Sequence, residues 1–309
     1  MAECFPVGGQ AVIEGVMIKS PNYIAVAVRK PNKKIAVKVE KCSSITQKYK
    51  FLKLPFLRGI VMLFEMLSLG LKSLQFSAQE AGEETDEKLS KVAMFFTIFI
   101  SLGLAILIFV LTPYALTTLL KIQEETSPVL FNFVDGMIKL TIFIIYLLII
   151  SRMEDIRRVF QYHGAEHKAV NCYENKKELT VKNAQQFTTL NARCGTSFIL
   201  FVILIGVLVF SFIPILMSAI SPSFIALPFI TKKLILFVTR IIFLLPLSGI
   251  SYEILKISAL YQKNIFFKLI SLPGLAVQKL TTRQPTDDQV EVALQSLQAV
   301  LDMEIKLKK

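Results

Sequence analysis

Residues 92–111 read VAMFFTIFISLGLAILIFVL, a stretch of 20 residues without a charged side chain. As an α-helix this stretch is about 30 Å long, which matches the hydrocarbon core of a bilayer. Residues 198–220 form a second uncharged block, and residues 129–150 and 234–255 are long enough although they carry charges. The sequence therefore predicts an α-helical integral membrane protein with about four transmembrane helices.

The overall composition agrees with a membrane protein. The chain is 53% hydrophobic and its mean hydropathy is +0.57, above the balance of a soluble domain. Its first ten residues lack a basic region followed by an apolar one, so we expect no cleavable signal peptide.

Lysine and arginine are distributed unevenly around the apolar blocks. Seven lie in residues 48–91 and eight in residues 151–197, whereas the connections 112–128 and 221–233 hold three together. Because such residues mark the cytoplasmic side, we expect a multi-pass membrane protein with both termini in the cytoplasm. The net charge of +12 mostly reflects this bias and favours anionic lipid headgroups. The basic residues flank spans, so we expect the bilayer as partner and no nucleic acid.

The cysteines give the same location. Cys4, Cys42, Cys172 and Cys194 all fall on the predicted cytoplasmic side, where thiols stay reduced. No pair has Cys-x-x-Cys spacing, which disfavours a zinc knuckle. Cys172 is predicted to be a small core residue.

The only two histidines of the chain are four residues apart, in Tyr162-His-Gly-Ala-Glu-His-Lys168. On a helix, His163 and His167 share a face, so both imidazoles can reach one ion. Glu166 completes His-x-x-Glu-His, the inverted zinc-peptidase motif. In such sites the histidines bind Zn²⁺ and the glutamate takes a proton from water. The alternative is a partly exposed helix that carries two histidines by chance.

A third metal ligand must come from elsewhere, and three residues are candidates in the order Glu253, Glu174, Cys194. Glu253 lies near the cytoplasmic end of the fourth span, where an uncompensated carboxylate is costly. Glu174 shares the histidine face if the helix survives Gly164, which weakens it by roughly 1 kcal/mol. Cys194 directly precedes the third span. Arg193 or Arg58 is the candidate for stabilising an oxyanion or a phosphate.

The predicted organisation starts with a cytoplasmic β region over residues 1–50. Residues 23–29 and 35–40 form a hairpin, and residues 10–18 form a third strand. Within that strand, Glu14 faces either solvent or the histidine segment. Residues 51–91 comprise an interfacial amphipathic helix, with a re-entrant segment as the alternative, and an acidic linker.

The rest of the chain divides into four parts: a first transmembrane hairpin over 92–150, a cytoplasmic segment over 151–197, a second hairpin over 198–260, and an interfacial helix with a C-terminal amphipathic helix over 261–309. The apolar stripe of the last helix packs within the chain or on a partner. Inside the spans, matching depths predict that Asp135 pairs with Arg240, although Lys139 is four residues from Asp135 on the same helix.

Several blocks together resemble the YqhQ-like family of bacterial membrane proteins over nearly the whole chain. The resemblance implies a multi-pass protein of the bacterial cytoplasmic membrane, and the family is described as predicted metal-dependent enzymes. The family pattern has His-Pro before Arg-Cys-Gly-Thr-Ser, whereas Asn191-Ala192 stand here, and asparagine is a poor transition-metal ligand. The blocks are Gly8-Gly-Gln-Ala-Val-Ile-Glu-Gly-Val-Met17, Pro55-Phe-Leu-Arg-Gly59, Tyr162-His-Gly-Ala-Glu-His-Lys168, Arg193-Cys-Gly-Thr-Ser197, Gly249-Ile-Ser-Tyr-Glu253 and Leu280-Thr-Thr-Arg283.

Three functions follow from these patterns. The first is a zinc-dependent hydrolase at the cytoplasmic membrane surface, acting on a membrane peptide or a lipid headgroup. The second is a non-catalytic membrane factor that assists assembly or turnover of other membrane proteins. The third is a small transporter, suggested by the charges within the spans; four spans without an internal repeat argue against it.

Overall fold

The computed structural model describes residues 5–82, 91–124, 126–221 and 223–308. Cys4 and most of the predicted acidic linker lie outside this part of the chain. Within it, the chain is mostly helical, with four long apolar helices and a small N-terminal antiparallel sheet. The predicted fold class is confirmed.

The sheet is a four-stranded meander in which each strand pairs with the next along the chain. Residues 23–29 and 35–40 form a hairpin as expected, but residues 10–18 do not form one strand. They break at Ile13 and Glu14, where Glu14 takes a φ of 49° and Val12 comes to face Gly15. The strands are β1 (Gly8–Val12), β2 (Gly15–Lys19), β3 (Tyr23–Arg29) and β4 (Ile35–Lys41).

Helices cover both faces of the sheet. On one face, Met17 and Val26 pack against Met66 and Leu69 of α2 (Leu57–Ala81). The other face packs on α6 (Glu154–Glu174) and α12 (Asp287–Lys308), and α12 contributes the predicted apolar stripe. The C-terminal stripe therefore packs within the chain.

Four helical segments are long and apolar enough to cross a membrane, and the protein is accordingly a multi-pass membrane protein. Among the described residues, the first, Phe99–Leu119, comprises the second half of α3, a π-helical turn and α4; the others lie in α5, α8 and α10. The bounds of these elements are Lys91–Ile106, Leu107–Leu111, Thr112–Leu119, Pro128–Ile150, Gly195–Ile220 and Phe229–Leu260. The shorter elements are α1 (Ile45–Lys48), a 3-10 turn (Lys50–Lys53), α7 (Val181–Gln185), α9 (Ser223–Ala226) and α11 (Ile265–Thr281).

The predicted ion pair between Asp135 and Arg240 is wrong. Asp135 pairs with Lys139 one turn along its own helix, which requires no contact between helices. Arg240 instead donates to Glu124 at 2.9 Å and to Asn132 at 2.7 Å. Matching depth did not predict the pairing because each charge finds a closer partner.

Candidate metal centre

The helix that carries the histidines is continuous through Gly164 and ends at Glu174. A glycine is required at position 164 because the backbone that follows α11 passes close to α6 at this point. A Cβ at this position would lie 2.1 Å from the carbonyl oxygen of Arg283, whose N–H donates to the Phe160 carbonyl at 2.9 Å. The glycine therefore lets residues 281–283 lie against α6, beside His163.

Both imidazoles are oriented by backbone carbonyls. Nδ1 of His163 lies 2.9 Å from the Thr281 carbonyl oxygen, and Nδ1 of His167 lies 2.5 Å from that of Thr189. Because a carbonyl only accepts, each Nδ1 carries the proton and each Nε2 keeps its lone pair. Metal-binding histidines are commonly held this way, with the second nitrogen donating to a carbonyl or carboxylate. The two rings lie with centroids 4.5 Å apart.

Cys194 completes a group of three ligand atoms. Its Sγ lies 3.2 Å from Nε2 of His163, and one ligand atom from each of His163, His167 and Cys194 lies within 4.8 Å of the others. Ligand atoms of a tetrahedral zinc site are about 3.5 Å apart, given bonds of about 2.1 to 2.3 Å. The three side chains therefore fit a metal such as Zn²⁺ with little rearrangement.

The position of Cys194 depends on the start of α8. Cys194 is the N-cap of this helix, and the N–H of Thr196 donates to its sulfur at 3.4 Å. The thiol is buried at the start of this helix.

A segment that we call the strap, residues 185–191, is tied to α6 through its carbonyls. Lys168, which is buried, donates two hydrogen bonds of 2.7 and 2.8 Å, and Asn171 donates two of 3.0 and 3.2 Å. Burial lowers the pKa of the Lys168 ammonium. These bonds hold the carbonyl that orients His167. The four acceptors are the carbonyls of Gln185, Phe187, Thr188 and Leu190.

Gln278 of α11 fixes the far end of the strap. It donates to the Asn191 carbonyl and to Oγ of Ser197, both at 2.8 Å, and it accepts from the Asn191 N–H at 2.9 Å. The Asn191 side chain accepts from the N–H of Arg193. Asn191 thus supports the turn before Cys194 and is not in the ligand group.

Glu166 is buried beside the ligand group. Its Oε2 lies 3.4 Å from Nε2 of His167, and its carboxylate accepts a hydrogen bond from the N–H of Gly9 in β1. Burial raises the pKa of Glu166 to about 7, and His163, the Gly9 N–H and Arg193 act in the opposite direction. Such a carboxylate can exchange a proton near neutral pH.

The other candidate ligands lie outside the group. Glu174, the last residue of α6, pairs with Arg193, whose side chain is about half exposed. Glu253 accepts from Nε of Arg58 at 2.6 Å, from the second guanidinium branch and from the N–H of Phe56. The carboxylate that the sequence marks as uncompensated therefore has a cation of its own, brought from α2.

Two glycines allow this contact between α2 and α10. A Cβ on Gly59 would lie 2.8 Å from Cβ of Tyr252, and one on Gly249 would lie 2.7 Å from the carbonyl oxygen of Phe56. The blocks around Arg58 and Glu253 thus form one helix contact, which we call the clamp.

Glu14 turns toward the helix of the histidines, as the second alternative for this residue predicts. Its carboxylate is bound by Arg158 and accepts from the hydroxyl of Tyr162 at 3.2 Å. Glu14 contacts α6 at residues that precede His163 in the sequence, and it is not in the ligand group.

The sequence alone did not single out Lys168 or Gln278. Lysine beside a histidine reads as a solvated charge, and Gln278 lies in a helix without a motif. The one available signal was the position of Lys168 on the apolar side of an otherwise polar helix.

Comparison with known proteins agrees with the resemblance found in the sequence. The family described as "Protein of unknown function (DUF1385)" matches residues 54–303. The "Uncharacterized protein YqhQ" of Bacillus subtilis (strain 168) is 34% identical over 315 residues, which cover 96% of this chain and 92% of that protein. No solved structure matches the chain. The chain therefore belongs to the DUF1385 family, with YqhQ as a homologue.

Proposed function

We propose that this protein is a zinc-dependent hydrolase whose site lies at the cytoplasmic surface of the bacterial membrane. The observation that carries the proposal is the convergence of His163, His167 and Cys194, with both imidazoles already oriented by carbonyls. Three protein ligands are the number found in catalytic zinc sites, whereas structural sites have four.

In this proposal the buried carboxylate of Glu166 is the general base. His163, His167 and Cys194 would hold the zinc, which would supply Lewis-acid activation for hydrolysis of the substrate. Glu166 is held beside His167 by the Gly9 N–H, so it can accept a proton without moving. Arg193, half exposed next to Cys194, is paired with Glu174 and would exchange that carboxylate for negative charge on the substrate.

A substrate of the membrane surface fits the location of the ligands. The histidine helix begins four residues after α5 ends, and Cys194 directly precedes α8. The ligands therefore lie close to the ends of two candidate spans, α5 and α8. A membrane-protein segment or a lipid headgroup is the substrate class that reaches such a site.

One contact favours a second candidate, in which zinc is structural and the protein is a non-catalytic membrane factor. Because Oε2 of Glu166 is only 3.4 Å from Nε2 of His167, a small side-chain movement would make Glu166 a fourth ligand. A closed, four-ligand site has no position for water and stabilises the fold without catalysis.

The Glu166→Gln variant separates the two candidates. The full chain, wild type or variant, is reconstituted in liposomes of bacterial lipid extract together with bacterial membrane proteins. Zinc content is measured, and released peptides and headgroups are identified by mass spectrometry. A hydrolase keeps zinc in the variant and loses its products. Loss of zinc in the variant, or identical products from both proteins, contradicts the hydrolase.

A further inference from the structure

The helix α2 has an apolar face on each side. One side packs on the sheet through residues such as Met66 and Leu69. The opposite side presents large side chains that are between 40% and 68% exposed and that recur every three or four residues. They are Phe64, Leu67, Leu71 and Leu74. At about 1.5 Å per residue, the 25-residue helix is roughly 37 Å long.

The two ends of α2 are fixed near the ends of different candidate spans. Its first turn forms the clamp with α10 through Gly59 and Gly249. Near its other end, Ser77 accepts from the N–H of Ile13 at 3.2 Å, and the neighbouring Glu14 binds Arg158 in the second turn of α6. Because α6 follows α5 closely, α2 extends across the end of the bundle from α10 toward α5.

The segment before α2 adds exposed aromatic residues and lysines. Phe51 and Phe56 are more than half exposed, and residues 45–57 contain three lysines and no acidic residue. Phe56 keeps its exposed position with a φ of 68°, which is unfavourable for a residue with a Cβ and is held by its N–H bond to Glu253. Aromatic and basic residues together are typical of the membrane–water interface.

The first half of α11 has the same character and follows α10 after a four-residue turn. Ile265, Phe266 and Leu269 are each more than half exposed. Lys263 precedes them and Lys268 lies among them, and residues 261–272 contain no acidic residue. This half of the helix follows α10, the helix that carries Gly249 and Glu253 of the clamp.

We propose that the exposed face of α2, residues 45–57 and the first half of α11 form one surface that lies in the headgroup region of an anionic lipid leaflet. The apolar side chains enter the acyl region, while the lysines contact lipid phosphates. The sheet is thereby held against the membrane by α2 rather than by the spans alone. The proposal does not depend on the metal centre.

The absence of tryptophan from the chain makes the test direct. Single-tryptophan variants Leu71→Trp, Phe51→Trp and Phe266→Trp of the full chain are placed in nanodiscs of phosphatidylcholine and phosphatidylglycerol with brominated acyl chains. We expect blue-shifted emission and strong quenching in all three. Gln295→Trp, exposed on α12 across the sheet from α2, is the control and should emit as in water. Unquenched emission from Leu71→Trp overturns the proposal, including when a protein partner covers it instead.

The anionic part of the proposal has its own readout. Lys50, Lys53 and Lys268 are changed together to glutamine, and the phosphatidylglycerol retained after purification from mixed bilayers is measured. Each lysine near an anionic surface contributes roughly a fivefold factor in binding, so we expect at least about a fivefold loss of preference. An unchanged lipid preference shows that the surface does not select anionic lipid and overturns that part.

Discussion

The metal centre and the clamp are both polar clusters at the same end of the bundle, but they differ in what completes them. In the clamp, the carboxylate of Glu253 meets the guanidinium of Arg58 through two contacts, and opposite charges are balanced within the chain. In the metal centre, His163, His167 and Cys194 direct electron-pair donors at one another. The clamp is complete as folded, whereas in our proposal a bound cation completes the metal centre.

This difference separates a structural role from a chemical one more clearly than residue type does. Carboxylates, imidazoles and thiolates all bind zinc, and the sequence ranks Glu253 first among the third ligands. A carboxylate that already has a guanidinium partner has little tendency to bind a metal as well. The charge of the Glu253 carboxylate is already balanced by Arg58, which is why Glu253 is not a metal ligand in this account.

The largest expected effect is the pH dependence of the metal-free protein. The pKa of Glu166 is raised in the fold from 4.5 to about 7, so this group favours folding below pH 4.5 and the contribution is lost as the pH rises to 7. The loss amounts to about 3 kcal/mol. Unfolding of chelator-treated protein in detergent, measured from pH 4.5 to 7, should lose this slope in Glu166→Gln. Equal slopes in both proteins contradict the prediction, and added zinc should flatten the wild-type slope.

Breaking the clamp has the next largest effect. Arg58→Ala leaves Glu253 buried without a cation, which costs about 2 to 3 kcal/mol, below the cost for a fully buried pair because Arg58 is 29% exposed. Thermal unfolding in detergent measures it. The double variant Arg58→Ala, Glu253→Gln should recover part of the loss. Zinc content should stay unchanged in both, and a loss of zinc would show that Glu253 belongs to the metal centre after all.

A smaller change in stability is expected at Gly164. Helix propensity alone would make alanine stabilising at this position, but we expect it to be destabilising. Gly164→Ala should destabilise the protein by about 1 to 3 kcal/mol, since the new Cβ would overlap the Arg283 carbonyl. Gly103→Ala is the matched control because a Cβ there meets nothing within 4 Å, and it should be neutral or stabilising by up to about 1 kcal/mol. If both variants are stabilised alike, the close approach beside His163 is not as described.

The smallest effect concerns the contact between Glu14 and Arg158. Because the Arg158 side chain is 49% exposed, Arg158→Ala should cost less than about 1 kcal/mol and leave zinc content unchanged. Chemical denaturation gives the value. A larger loss, or loss of zinc, would mean that Glu14 controls the metal centre and not only the packing of β1 on α6.

The sequence predicted the spans, β3 with β4, and the packing stripe of α12 because these depend on local periodicity and length. It did not predict the break at Ile13 and Glu14, since neither of these two turn residues is a glycine or proline and Gly15 follows them only at the start of β2. The partners of Asp135 and Glu253 also could not be predicted. Each depends on which charge tertiary packing brings nearest, and Arg58 is 195 residues away from Glu253.

Within the candidate metal centre, the histidine motif was visible but its surroundings were not. Cys194 ranked last because sequence spacing gives no distance between segments 31 residues apart. The carbonyls of Thr189 and Thr281 that orient the imidazoles belong to the backbone and have no residue signature. Lys168 acts through such backbone groups, and Gln278 acts through them and through the hydroxyl of Ser197, so the sequence gives no signal for either contact.

The most direct test of the central claim is the zinc content of the full chain purified without chelator from zinc-supplied cells. Three proteins are compared: wild type, Cys194→Ser and Cys42→Ser, because Cys42 is a half-buried thiol that packs against the sheet, outside the ligand group. We predict stoichiometric zinc in wild type and Cys42→Ser and its loss in Cys194→Ser. Zinc that survives in Cys194→Ser, or a wild-type protein without zinc, would contradict the metal centre described above.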